Sequence, residues 1–172
     1  MSFLQRIFGP PDVQVHPPMP QINTALTQVA VDAIMNGKFP AIPVQRLVLK
    51  IGERCLYCDY AVKITEKLRV IGYRSRGHGC YVRLFRGVGL HTGDGARAAV
   101  RDNVQEYVKG KLYITNKRVI FSADKGSFHK PITGLVSFAE DNGNLVLQFG
   151  NMSCKLYLQT LHCAVRVLEY IL

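Results

Sequence analysis

Two groups of residues in this chain have the types and spacing to do chemistry. The larger is basic. Between residues 67 and 101 stand eight cations, Lys67, Arg69, Arg74, Arg76, Arg83, Arg86, Arg97 and Arg101, against one acid, Asp94. Seven glycines share the stretch. Guanidinium forks match phosphate oxygens, and glycine permits loops whose backbone N–H groups face an anion. Lys67, Arg69, Arg74, Arg76, Arg83 and Arg86 are therefore the candidate contacts for anionic lipid headgroups, and a solvated basic face is the plainer reading of the same charges. Nucleic acid would suit the charge alone. Single-strand readers interleave aromatic rings with their cations, whereas Tyr73, Tyr81 and Phe85 read as strand residues, so nucleic acid is not the expected partner.

The second group is Cys55-Leu56-Tyr57-Cys58, with His78 and Cys80 downstream. Four such ligands can hold zinc tetrahedrally. Against this, Leu56-Tyr57 reads as strand, and strand residues three apart point to opposite faces. The four are expected to be unrelated core residues, with no metal and no other cofactor. His91 and Asp94 in a glycine-rich stretch suit turn chemistry. The chain holds no Gly-x-Ser-x-Gly, no phosphate-binding Lys loop and no His-Glu-x-x-His. An enzyme, and hence a small-molecule substrate, is not expected.

These residues must be carried by a body of ordinary size. The chain has 172 residues, 22 Lys+Arg against 12 Asp+Glu, and 48% hydrophobic residues. That is enough apolar content for one packed core, and no apolar run reaches a membrane span. Gly9-Pro10-Pro11 cuts short the apolar start Phe3, Leu4, Ile7, Phe8, which does not read as a secretory signal. That short face is expected to pack on the body or on a second copy. Five cysteines, an odd number at irregular spacing, suit reduced thiols in the cytoplasm.

Five prolines within residues 1–20 favour an extended arm. Ile22, Leu26, Val29, Ala30 and Ala33 follow helical spacing, predicting a helix over 23–36 capped by Asn23 or Thr24 and stopped by Gly37. The arm and helix make up 1–45, and a second region covers 46–172. There the pattern turns to strands, over 56–64, 68–73, 80–90, 111–115, 118–122, 132–138, 145–149 and 155–158. Asn116-Lys117 and Asn142-Gly143 have the spacing of tight hairpin turns. Leu161, Ala164, Val165, Leu168, Ile171 and Leu172 form one helical stripe. Many short antiparallel strands closed by one amphipathic helix bury both apolar faces as a small barrel or sandwich.

The stretch Gly110-Lys-Leu-Tyr-Ile-Thr-Asn-Lys-Arg-Val-Ile-Phe121 resembles the core signature of bacterial pleckstrin-homology-like domains, which are related to GRAM domains. Lys130-Pro-Ile-Thr-Gly-Leu-Val-Ser-Phe138 and Asp141-Asn-Gly-Asn-Leu-Val-Leu147 are similar to the strands that follow in that family. The resemblance covers about residues 50–172. It implies a mainly β fold: a pleckstrin-homology-like split barrel of about seven antiparallel strands, capped by a C-terminal helix and preceded by an N-terminal helix and proline-rich arm. Lys67, Arg74 and Arg76 resemble the loose phosphoinositide pattern of the eukaryotic relatives. The expected function is a non-catalytic binding or scaffolding module engaging a protein partner or another copy of itself. The alternative is a peripheral module meeting an anionic membrane surface, on the inner membrane face, through 67–101. Lateral sheet contacts between copies would cover exposed edge strands.

Overall fold

The computed structural model describes residues 18–45, 47–76, 80–85, 88–92 and 96–172, together with their side chains except those of 69–102. The chain divides into two compact units, one of Met1–Thr65 and Glu106–Leu172, the other of Glu66–Gln105. The elements in chain order are α1 (Gln28–Met35), β1 (Cys55–Arg76), β2 (Cys80–Phe85), β3 (Val88–Thr92), β4 (Ala96–Thr115), β5 (Arg118–Ser122), β6 (Phe128–Pro131), β7 (Ser137–Asp141), β8 (Asn144–Phe149), β9 (Met152–Tyr157) and α2 (Leu161–Ile171). Seven strands form one open antiparallel sheet in the order β6-β5-β4-β1-β9-β8-β7. β2 and β3 pair separately, Cys80 opposite Thr92, with a register shift between Arg83 and Phe85. The fold is thus mainly β with a C-terminal helix, and its sheet is not closed.

The hairpin β4–β5 shows why the sequence folds this way. Leu112 pairs with Phe121 and Ile114 with Val119, and all four are buried in the main core. Tyr113 pairs with Ile120 on the opposite face, where they join Cys55 in a second apolar cluster. Strand alternation sends successive side chains to opposite faces, so this ladder buries both. Val44, Leu47 and Cys58 pack on the second cluster, so the segment before β1 shields it. Gly110 is obligatory here, since a Cβ would lie 2.5 Å from the Ser122 carbonyl oxygen and 2.7 Å from the Phe121 ring.

The main core is completed by Leu145 and Leu147 of β8, Leu156 of β9, and Leu161, Ala164, Val167 and Leu168 of α2. Ile34 of α1 is fully buried among them. On α2 the predicted stripe holds for Leu161, Ala164 and Leu168, whereas Leu172 is exposed. Among the described residues, no helix is long and apolar enough to cross a membrane.

Three local departures have physical causes. α1 begins at Gln28 with Thr27 as its cap, because Asp59 of β1 captures the Thr24 hydroxyl and the Ala25 N–H and keeps residues 23–26 out of the helix. Residues 56–64 and 68–73 belong to one strand of 22 residues. The predicted strand over 132–138 is instead a 3-10 turn at Ile132–Gly134 followed by β7, because Pro131 removes a ladder donor and the turn closes through the Leu135 N–H on the Ile132 carbonyl.

Candidate functional site

Five of the six predicted anion contacts belong to strands of the second unit. Lys67 is exposed on β1. The backbones of Arg69, Arg74 and Arg76 belong to β1 and that of Arg83 to β2, while their side chains lie outside the described residues. Arg86 and His78 lie wholly outside them, and the side chain of Cys80 does too. Cys55 is buried and Cys58 half-buried. Burial, reinforced by Cys58, pushes the Cys55 thiol up to about 12, and burial also raises Cys58. Among the described residues, no three His, Cys, Asp or Glu side chains converge on a metal position.

The motif Thr115-Asn116-Lys117-Arg118 forms the turn between β4 and β5, and all four side chains reach the segment before β1. Arg118 binds Glu53 through Nε at 2.8 Å, and its Nη2 donates to the Val48 carbonyl at 2.7 Å. Thr115 Oγ1 donates to the same carboxylate oxygen, Glu53 Oε1, at 2.8 Å. Asn116 accepts from the Arg54 N–H and donates to the Gly52 carbonyl. Lys117 Nζ donates to the Ile51 carbonyl at 2.6 Å. Residues 50–53 form a turn closed by the Glu53 N–H on the Lys50 carbonyl, with Gly52 at φ 69° and Ile51 at its apex. Burial alone would raise the Glu53 carboxyl. Its hydrogen bonds from Arg118, the Lys50 N–H and Thr115 outweigh that and hold it down to about 2.

A second polar knot lies inside the unit. The buried Asp59 accepts from Thr24 Oγ1, the Ala25 N–H, the Tyr60 N–H and Thr160 Oγ1. Thr160 in turn meets the Tyr57 hydroxyl at 2.8 Å. Burial pushes the Tyr57 hydroxyl well above its usual range. In both knots the polar groups face backbone and side chains of neighbouring segments.

On the outer face of β4 a cleft of about 830 Å³ is lined by Tyr60, Lys109, Lys111, Tyr113 and Gln45, with Asp124 at its margin. Lys111 Nζ lies 4.8 Å from the centre of the Tyr60 ring, a cation–π distance.

At the end of the sheet, β7 has no further strand beside it among the described residues. Asn142 and Gly143 both take positive φ, 50° and 75°, as the two-residue hairpin turn requires. Such a turn bonds Asp141 to Asn144, so Ala139 and Ser137 also bond to β8, opposite Val146 and Gln148. The Val136 N–H also reaches the Gln148 carbonyl, at 2.8 Å. Phe138 and Glu140 therefore direct their N–H and C=O groups away from the sheet. The other edge strand, β6, contains Lys130 and Pro131, which blunt an edge; residues 136–141 contain neither Lys nor Pro. Sequence reasoning missed this edge because it placed a strand over 132–138.

No family model, curated protein or solved structure matches this chain.

Proposed function

We propose that this chain is a non-catalytic binding module of the pleckstrin-homology-like kind that engages a second copy of itself through β7. The open seven-stranded sheet with its C-terminal helix, and the Thr115–Arg118 turn, support the family reading. The non-catalytic reading is supported by the two polar knots. Their groups tie segments together rather than lining the cleft.

The observation that carries the self-association is the β7 edge, beside which no further strand lies among the described residues. Phe138 and Glu140 are its outward-bonding positions, so a second β7 running antiparallel pairs Phe138 with Glu140 of the other copy and reciprocally. The two-fold axis then passes through Ala139, which faces itself as a close, non-bonded pair. Alanine is small enough for that approach. Ser137 meets Asp141, and no like charges stand opposite one another.

An Ala139→Cys variant tests this by oxidation. The expected product is a disulfide-linked species of twice the 19.3 kDa chain mass, absent from the wild type and much weaker for Ser137→Cys. Ala139→Lys, which places like charges on the axis, is expected to sediment as a monomer with an unchanged circular dichroism spectrum and a melting temperature that no longer depends on concentration. Monomeric wild type at tens of micromolar, together with no cross-link through residue 139, would overturn the reading.

A further inference from the structure

Among the described residues, the two most exposed large apolar side chains lie close together in the chain. Ile51 is 98% exposed and Val48 is 87% exposed, both on the segment that the Thr115–Arg118 turn holds. Single exposed aliphatic side chains are ordinary. Two of them on one pinned segment, flanked by exposed cations, are not.

Five backbone groups of this segment are already paired by side chains from within the fold. The carbonyls of Val48, Ile51 and Gly52 accept from Arg118, Lys117 and Asn116 respectively. The Lys50 N–H donates to Glu53, and the Arg54 N–H to Asn116. A peptide segment entering a water-poor layer must have its polar groups paired, or desolvating them cancels the gain. Here those five groups are paired before any partner arrives.

The charge around the turn is one-sided. Lys50, Arg54 and Lys117 are exposed. Within residues 47–54 and 115–118 the one carboxylate is Glu53, which is buried and held by Arg118. Two aliphatic tips and three cations are far too small a patch for a specific protein interface, which takes roughly 800 Å² from each side. They suit an interfacial layer, where aliphatic side chains sit among acyl chains and cations among headgroups.

We infer that the turn carrying Val48 and Ile51 is a membrane-docking tip, which places both side chains in the headgroup layer of an anionic bilayer while Lys50, Arg54 and Lys117 meet the lipid phosphates. This goes beyond self-association, and it uses residues outside the basic stretch 67–101.

The chain contains no tryptophan, so Ile51→Trp creates a single emission probe at the apex. With vesicles containing a quarter phosphatidylserine in phosphatidylcholine, at about 0.15 M salt, the probe is expected to shift to the blue and to be quenched by brominated acyl chains. Vesicles of phosphatidylcholine alone should leave it unchanged. Val48→Asn with Ile51→Asn is expected to weaken binding to the anionic vesicles by about tenfold or more, with the thermal melt unaffected because both positions are exposed. Lys50→Glu with Arg54→Glu should steepen that loss at low salt. No vesicle binding overturns the proposal. So does binding that leaves residue 51 in water, which would assign the contact to another surface. Because dimer formation is read separately at residue 139, failure here leaves the β7 reading standing.

Discussion

Replacing Glu53 by glutamine tests the clamp that holds the segment before β1. The side chain is fully buried and accepts from Arg118 Nε at 2.8 Å, Arg118 Nη2 at 3.2 Å, Thr115 at 2.8 Å and the Lys50 N–H at 2.7 Å. Its carboxyl falls from an ordinary 4.5 to about 2. At roughly 1.36 kcal/mol per pH unit, that preference for the charged form is worth on the order of 3 kcal/mol. The figure agrees with the ~3–5 kcal/mol lost when one partner of a buried ion pair is removed. A folded-state value below the unfolded one means stability that is fully present above about pH 4.5 and lost as pH falls toward 2. Urea denaturation at pH 7 is thus expected to place Glu53→Gln about 3 kcal/mol below wild type, a fall in melting temperature of about 6–12 °C. The gap between the two proteins should narrow between pH 4.5 and 2.5, because only wild type loses the charge. A difference under about 0.5 kcal/mol at pH 7, or one that is flat across that acid range, would refute the account of the clamp.

Other outcomes follow from the same packing. Gly110→Ala should cost about 1–3 kcal/mol in thermal or urea melts, since its new methyl group meets a backbone oxygen at 2.5 Å. Tyr57→Phe removes one hydrogen bond from Thr160, which keeps its bond to Asp59, and should cost about 1 kcal/mol. Asp59→Ala strands four donors at once and should cost about 3 kcal/mol or more by the same measurement. Site-resolved alkylation of the native protein at pH 8 should label Cys58 before Cys55 and Cys154, whose thiols burial pushes up to about 12 and about 11. Early labelling of Cys154 would contradict its burial on β9, where it pairs with Leu147 of β8.

What could be read from the chain was what is written locally. Leu112, Tyr113 and Ile114 alternate in the text as they do in space, and Asn142-Gly143 names its own turn. The α2 stripe was legible because its period is that of the helix. What could not be read depends on distant residues. The start of α1 is decided by an aspartate 34 and 35 positions downstream, and the exposure of Ile51 by a turn more than sixty positions away. The motif at 115–118 pointed to a hairpin turn. That its four side chains reach back to clamp another segment could not be seen from their order. The β7 edge escaped because Pro131 and the 3-10 turn shift the strand towards its C-terminal end.

Asp59 gathers residues from three separate parts of the chain: Thr24 and Ala25, its own strand, and Thr160. During synthesis these emerge in a fixed order. Until Thr160 has left the ribosome, the carboxylate lacks one of its partners, and α2 is not there to cover Leu145, Leu147 and Leu156. The first strand must therefore wait, partly formed, through more than a hundred added residues. This body cannot complete its core before Thr160 and α2 have been made, and until then its unfinished sheet is the surface that chaperones would meet.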